Sequence, residues 1–218
     1  VWVVLLFPAY SWAASNYGAA IYGESKKFWV GYADNIGLNQ IATSDGGAIL
    51  VGSRISYPFR DLVLVKLSAD GNIVWQKKID DTKVVSYQQN NLPANLLRNA
   101  AITATPDGNF EVTFATESFK DVINAAVVKF SENGNVLWHR LYKANFSERT
   151  FPTHIVALSD GSSVLMGNLE NQINQTFLIK IANDGQVISH AVLENSDKNQ
   201  LFKGRFLTKS NDGSLIGI

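Results

Sequence analysis

The segment DLVLVKLSADGNIVW, from Asp61 to Trp75, carries the pattern on which the rest of the chain is built. Five of its first seven residues are large aliphatics, Lys66 stands among them, and an Asp-Gly pair separates them from a second apolar run. The same plan recurs in NAAVVKFSENGNVLW (Asn124–Trp138) and, without the Trp, in TFLIKIANDGQVIS (Thr176–Ser189). The chain therefore repeats one unit, and an internal repeat of this kind largely determines a fold.

A second, related stretch precedes each of these. It reads IATSDGGAILVG (Ile41–Gly52), ITATPDGNFEVTF (Ile102–Phe114), IVALSDGSSVLMG (Ile155–Gly167) and FLTKSNDGSLIGI (Phe206–Ile218). The landmarks keep the same order at a period of about 50 to 60 residues, and a four-stranded unit that repeats at this period is typical of a β-propeller blade. The residues that recur in phase are predicted to be structural: Asp45, Gly46, Lys66, Asp70, Gly71, Trp75, Asp107, Gly108, Lys129, Gly134, Trp138, Asp160, Gly161, Lys180 and Gly185.

Each half of the unit predicts a β-hairpin. An Asx-Gly pair between apolar runs is a strong hairpin signal, because Gly tolerates positive φ and Asx favours the turn. The runs LVLV and AVV are continuously apolar, which predicts strands buried on both faces. We therefore expect an all-β fold of four-stranded antiparallel blades, a β-propeller, with about three and a half blades present.

The repeat also resembles a known family. The plan T-x-D-G-G-x-I-L-V-G, followed by D-L-V-L-V-K-L-x-x-x-G-N-I-V-W, is similar to the blade repeats of secreted bacterial β-propeller proteins and, more distantly, to those of quinoprotein dehydrogenases and kelch propellers. The resemblance covers Ile41 to Ile218 and implies the fold. It implies little about function, because such propellers carry many activities.

The expected organisation places blades at about 41–80, 102–142 and 155–193, with a partial blade at 206–218. Residues 15–40 precede them and contain KKFWVGY (26–32), a strand that could close the ring with residues beyond Ile218. The chain is therefore expected to be the N-terminal part of a longer protein. Residues 1–14 resemble a truncated secretory signal peptide, which predicts a secreted, periplasmic or cell-surface location; a buried first strand is the alternative.

Bulk composition argues against several classes of function. The 218 residues include 19 basic and 19 acidic side chains, so no basic field favours nucleic acid. The chain has no Cys, and its three His are scattered, so the sequence implies no thiolate site, metal or other cofactor. The apolar N-terminal run is far shorter than the ~20 residues of a membrane span. Nothing in the sequence points to an oligomer.

Candidate binding residues fall in loops at the end opposite the Asx-Gly turns, where rigid scaffolds usually carry function. The richest segment is SRISYPFRD (Ser53–Asp61), in which Arg54, Tyr57, Phe59 and Arg60 could stack on and hydrogen-bond a sugar, a peptide or an acidic ligand. Tyr87 lies in a polar insertion between blades. The alternative is that these are ordinary surface residues.

Two functions remain open at this stage. The first is a secreted binding or interaction scaffold for a carbohydrate, a peptide or another protein. The second is an enzyme on the same fold, such as a quinone-dependent dehydrogenase or a glycan hydrolase or lyase. The visible loops carry no repeated His-rich or paired catalytic motif, which favours the scaffold.

Overall fold

The structure is a computed structural model that describes residues 4–7, 10–13, 35–56, 59–79, 100–118, 122–143, 149–169, 175–193, 204, 206–210 and 212–217. Tyr57, Tyr87 and the segment 26–32 lie outside these residues. All regular elements in the described part are strands, which confirms the all-β prediction. The described residues include no helix that is long and apolar enough to cross a membrane.

Three four-stranded antiparallel sheets follow one another along the chain. The first sheet is β3 (Asn35–Ala42), β4 (Ala48–Ser56), β5 (Phe59–Leu67) and β6 (Ile73–Ile79). The second sheet is β7 (Ala101–Ala104), β8 (Phe110–Ser118), β9 (Val122–Phe130) and β10 (Val136–Tyr142). The third sheet is β11 (Thr150–Ala157), β12 (Ser163–Leu169), β13 (Gln175–Ile181) and β14 (Val187–Leu193). In each sheet the strands are hydrogen-bonded in sequence order, as consecutive hairpins require.

Two short hairpins flank these sheets. Strands β15 (Leu207–Lys209) and β16 (Leu215–Gly217) form the fourth hairpin, where the sequence predicts a partial unit. Near the start of the chain, β1 (Val4–Phe7) pairs with β2 (Tyr10–Ala13). The signal-peptide hypothesis concerns removal of this segment from the mature protein, so it stays a prediction.

The hairpin turns share one geometry. In the turn after β3, the Thr43 amide donates to the Gly47 carbonyl, and the Gly46 amide donates back to the Thr43 carbonyl. Six further turns repeat this pair of bonds, and the glycine after the Asx residue has a positive φ in all seven. This pattern is a type I turn followed by a left-handed glycine, and it explains why the Asx-Gly pair recurs.

The middle strands form the core, and the fourth strands form the outside. Leu62 to Val65 of β5 and Ala125 to Val128 of β9 are buried without interruption, as their continuous apolar runs predict. By contrast, most of β6, β10 and β14 is exposed. The first strands of successive units contact one another in order, β3 with β7, β7 with β11 and β11 with β15. The sheets therefore pack face to face in series.

The predicted loops at the ends opposite the Asx-Gly turns are too long. The segment 53–61 was predicted as a loop, but β4 continues to Ser56 and β5 begins at Phe59, which leaves a connection of residues 57–58. The sequence also predicts loops at 117–124 and 168–175, and the strands shorten these to connections of residues 119–121 and 170–174. The ladder extends because the pairing register continues without a shift, for example from Arg54↔Asp61 to Ser56↔Phe59, and each further pair satisfies backbone polar groups.

Candidate functional site

The end of the sheets that carries the Asx-Gly turns, here called the turn end, is built around a repeated ion pair. Lys66 of β5 donates to Asp45 at 2.8 Å, and Lys180 of β13 donates to Asp160 at 3.0 Å. The hydrogen bond from Lys66, with others from Thr43 and the Gly47 amide, holds the pKa of Asp45 well below its ordinary value. Each pair joins the third strand to the first turn, so these lysines are already engaged in holding the sheet together.

The equivalent lysine of the second sheet, Lys129, has different contacts. Lys129 Nζ lies 2.8 Å from Asp107 and 3.7 Å from Glu111 Oε1, and it also donates to the side chain of Asn183 in the third sheet. Burial acts to raise the pKa of Asp107, but hydrogen bonds from Lys129, Thr105 and Asn109 outweigh it, and the pKa lies well below its ordinary value. This ammonium therefore ties two sheets together.

Tryptophans make the second link between sheets. The indole N–H of Trp75 donates to the Glu132 carbonyl at 3.2 Å, and that of Trp138 donates to the Asn183 carbonyl at 2.9 Å. Both acceptors lie in the second turn of the following sheet. The Trp75 ring stacks on Phe110, with ring centroids 6.1 Å apart. The repeated Trp is thus a contact between neighbouring units.

A groove of about 480 Å³ lies at the turn end between the second and third sheets. Its wall includes Asp107, Lys129, Trp138, Asn183 and Asp184. The polar groups in this wall already have partners inside the protein, because Asp184 accepts from the Gln186 amide and side chain and the other four engage one another as described above. A ligand could bind in the groove only by competing with these bonds. The groove residues therefore serve mainly to hold the second and third sheets together, and this contact between the two sheets is called the joint below.

The predicted ligand-binding residues lie at the opposite end of the first sheet. Arg54 belongs to β4, and Phe59 and Arg60 belong to β5, on strands that pair antiparallel within a few residues of the hairpin connection. Arg54 faces Asp61 in the register, and Arg60 faces Ile55. The backbone therefore brings these three residues to one hairpin tip, and their role in binding stays a prediction. Tyr57 and Tyr87 lie outside the described residues.

The histidines are separate from one another. His139 and His190 occupy equivalent positions on β10 and β14 and are exposed. His154 on β11 is partly buried, its ring contacts Phe206 edge to face at 5.4 Å, and burial lowers its pKa. Within the described part of the chain, no group of three or more His, Cys, Asp or Glu side chains could hold a metal ion.

Two residues at the joint between the second and third sheets were not predicted from the sequence. Glu111 is fully buried on β8, and Tyr142 at the end of β10 donates from its hydroxyl to the Gly185 carbonyl at 2.7 Å. A signal for Glu111 was present, because a carboxylate replaces the aliphatic Ile49 and Val164 of the other repeats. The repeat did not point to Tyr142, because the equivalent positions hold the aliphatic residues Ile79 and Leu193 and a tyrosine there could equally be a packing residue.

Comparisons with known proteins bear on the fold alone. No family model and no curated protein matches the sequence. A crystal structure of a Bacteroides caccae protein of unknown function is similar over 89% of this chain, with 14% identity and a TM-score of 0.52. This chain spans 56% of that protein. A second crystal structure, described as the eukaryotic initiation factor, aligns with 83% of this chain and with 48% of that protein, at 10% identity. Its TM-score of 0.38 is too low to carry an argument.

Proposed function

We propose that this chain is the blade-bearing part of a β-propeller and acts as a binding scaffold for a carbohydrate, a peptide or another protein. Four-stranded sheets that pack in series, with first strands in mutual contact and fourth strands exposed, support a radial arrangement of blades. Closure of the ring belongs to the proposal. The signal-like first 14 residues support a secreted, periplasmic or cell-surface location.

The contrast between the two ends of the sheets carries the proposal. The turn end repeats one set of contacts, in which lysines meet turn aspartates and tryptophans meet the next turn. The opposite end does not repeat, since its hairpin connections are residues 57–58, 119–121 and 170–174 and differ in length and sequence. Binding and catalytic residues lie disproportionately on variable loops that a rigid scaffold positions, so the variable end is where a ligand is expected.

Arg54, Phe59 and Arg60 make the tip of the first sheet the first surface to test. Arginine and aromatic side chains at a protein surface favour recognition, because guanidinium groups bind carboxylates in a forked geometry and aromatic rings stack on apolar faces. A ligand with acidic groups and a flat apolar face, such as an acidic sugar or an acidic peptide, fits this chemistry.

The test is a screen of the full chain against glycan and acidic-peptide arrays, followed by titration of each hit by calorimetry. The variant Arg54→Ala/Arg60→Ala is expected to weaken binding at least tenfold. Lys77→Ala/Lys78→Ala removes the same charge from the exposed strand β6 and is expected to leave binding unchanged. Equal loss in both variants would contradict a site at the hairpin tip. Turnover of a glycan or an alcohol that is abolished by changing one carboxylate would contradict a pure scaffold.

A further inference from the structure

One position of the repeat differs in charge among the three sheets. Ile49, Glu111 and Val164 are equivalent, and each lies opposite the repeated lysine of its sheet, in the pairs Ile49↔Lys66, Glu111↔Lys129 and Val164↔Lys180. The aliphatic side chain of the first and third sheets is thus a carboxylate in the second. This substitution places Glu111 where the core of the joint would otherwise be apolar.

The surroundings of Glu111 leave its carboxylate without a hydrogen bond. The side chain has no solvent-exposed surface, and within the described part of the chain neither of its oxygens has a hydrogen-bond partner. Lys129 Nζ lies 3.7 Å from Oε1. The Ser163 hydroxyl, from the third sheet, is buried and lies close enough to the carboxylate to lower the pKa of Glu111, but among the described residues it meets the geometry of a hydrogen bond with no partner. Native proteins rarely leave buried polar groups in this state without a reason.

The charges around Lys129 do not balance when Glu111 is ionised. Lys129 contacts both Asp107 and Glu111, so one ammonium faces two carboxylates. In the first and third sheets Lys66 and Lys180 each face one turn aspartate, Asp45 and Asp160. The group formed by Lys129, Asp107 and Glu111 therefore carries one excess negative charge, and an uncompensated buried charge costs several kcal/mol in general.

We propose that Glu111 is a proton-binding site in the joint between the second and third sheets, and that uptake of a proton tightens this joint. A neutral Glu111 leaves the Lys129–Asp107 pair balanced. A neutral Glu111 also carries a hydroxyl that can donate a hydrogen bond, whereas an ionised carboxylate can only accept. The joint is the contact that Trp138 and Tyr142 hold together.

The direction of the effect follows from the other groups that face Glu111. Burial raises the pKa of Glu111, and the Ser163 hydroxyl and the charge of Lys129 offset this only in part, while the charge of Asp107 adds to it. Burial, with a smaller contribution from Glu111, raises the pKa of Tyr142 above its ordinary value, so Tyr142 stays neutral. Arg140 and Asp184 act on Tyr142 with opposite signs. The pKa of Glu111 is higher in the folded chain than in the unfolded chain. Protonated Glu111 therefore contributes its whole stabilising free energy below the ordinary glutamate pKa of about 4.3, and this stabilisation is lost as pH rises through the folded pKa.

Hydrogen exchange on the full chain tests the proposal. The β11 amides report on the joint, since Ala157 donates across it to Thr103 Oγ1, and the β4 amides serve as the internal control. Protection of β11, corrected for intrinsic exchange, is expected to fall by up to tenfold per pH unit between about pH 4.3 and the folded pKa. Glu111→Gln is expected to remove this dependence. The proposal would be overturned if protection changed equally with pH in β11 and β4, or if the pH dependence of β11 protection persisted in Glu111→Gln.

Two further measurements keep the test decisive if Glu111→Gln does not fold. The carboxyl ¹³C resonance of Glu111 in the wild-type chain is expected to titrate above its ordinary range, and titration at or below about 4.3 would overturn the proposal. The reciprocal variant Ile49→Glu introduces the carboxylate opposite Lys66. It is expected to transfer the pH dependence to the β4 amides, and pH-independent β4 protection in a folded Ile49→Glu chain would count equally against the proposal.

Discussion

The indole nitrogen of Trp138 donates a hydrogen bond of 2.9 Å to the backbone carbonyl of Asn183, 45 residues further along the chain. The relationship repeats one unit earlier, where Trp75 donates to Glu132. In both cases the last strand of one sheet reaches the second turn of the next. The ring of the Trp then covers the glycine of that turn, Gly185 or Gly134, and both glycines are buried. Four predictions follow from this joint and from the ion pairs beside it.

Gly134→Ala should cost more than the same change in an open turn. Gly134 has a φ of 75°, and a Cβ there would lie 3.1 Å from the Trp75 ring. Gly108 has a φ of 78° with no atom within 4 Å of the added Cβ, so it isolates the backbone cost. We expect Gly108→Ala to lower the free energy of unfolding by about 1 kcal/mol and Gly134→Ala by about 3 kcal/mol, because the ring must also move. Urea titration measures both, and equal losses would mean that the ring does not constrain the turn.

Trp138 should contribute mainly through packing. Trp138→Phe keeps a ring but removes the donor to Asn183 and is expected to cost about 1 to 2 kcal/mol. Trp138→Ala also removes the contact with Gly185 and is expected to cost about 3 to 5 kcal/mol. Leu137, its neighbour in sequence, is exposed, so Leu137→Ala should stay within about 0.5 kcal/mol of the wild type. A loss in Leu137→Ala as large as in Trp138→Ala would contradict this account of β10.

The two lysines Lys129 and Lys66 should differ in their contribution to stability. Lys129→Met leaves the buried Glu111, and Asp107 whose side chain is 36% exposed, without this cation, and the expected cost of about 3 kcal/mol comes mainly from Glu111. Lys66→Met leaves only Asp45, whose side chain is 47% exposed and can be hydrated, so we expect a cost of about 1 kcal/mol or less. Urea titration compares the two.

The double variant Lys129→Met/Glu111→Ile provides the control for this comparison. It removes the cation together with the buried carboxylate that faces it, and we expect it to recover most of the stability lost in Lys129→Met. Additive losses from the two changes would show that the lysine and the glutamate do not interact.

The lowered pKa values of the turn aspartates lead us to expect that the protein loses stability in acid. Side-chain and backbone hydrogen bonds from Ser162, with a further bond from Lys180, hold the pKa of Asp160 well below its ordinary value, and bonds from Ser210 and Ser214 lower that of Asp212 to about 2. A lowered folded pKa gives stability that is present above the unfolded value of about 3.9 and is lost as pH falls through the folded value. Melting temperature should therefore fall below about pH 4. Ser162→Ala, which removes a donor to Asp160, should flatten this decline, and an unchanged acid slope would contradict the assignment.

The repeat and its hairpins could be read from the sequence because they depend on neighbouring residues. Each turn needs an Asx followed by a glycine at positive φ, and both stand next to each other in the chain. The burial of Leu62 to Val65 on both faces follows from a continuous apolar run in the same way. The lengths of the hairpins at the opposite end were predicted wrongly, since polar residues such as Arg54 and Asp61 read as a loop although they continue the ladder.

The presence of the strands, the turns and the phase of the units follow from the sequence alone, because the pleat and the turn need only local chemistry. Only the packing of the sheets brings Trp138 to Asn183, places Lys129 against the next sheet and buries Glu111 beside Ser163. These contacts join residues on different sheets, up to 57 positions apart for Trp75 and Glu132. They depend on how one sheet packs on the next. The sequence shows that the second unit carries a glutamate where the others carry an aliphatic residue, but only the packing shows that this glutamate is buried.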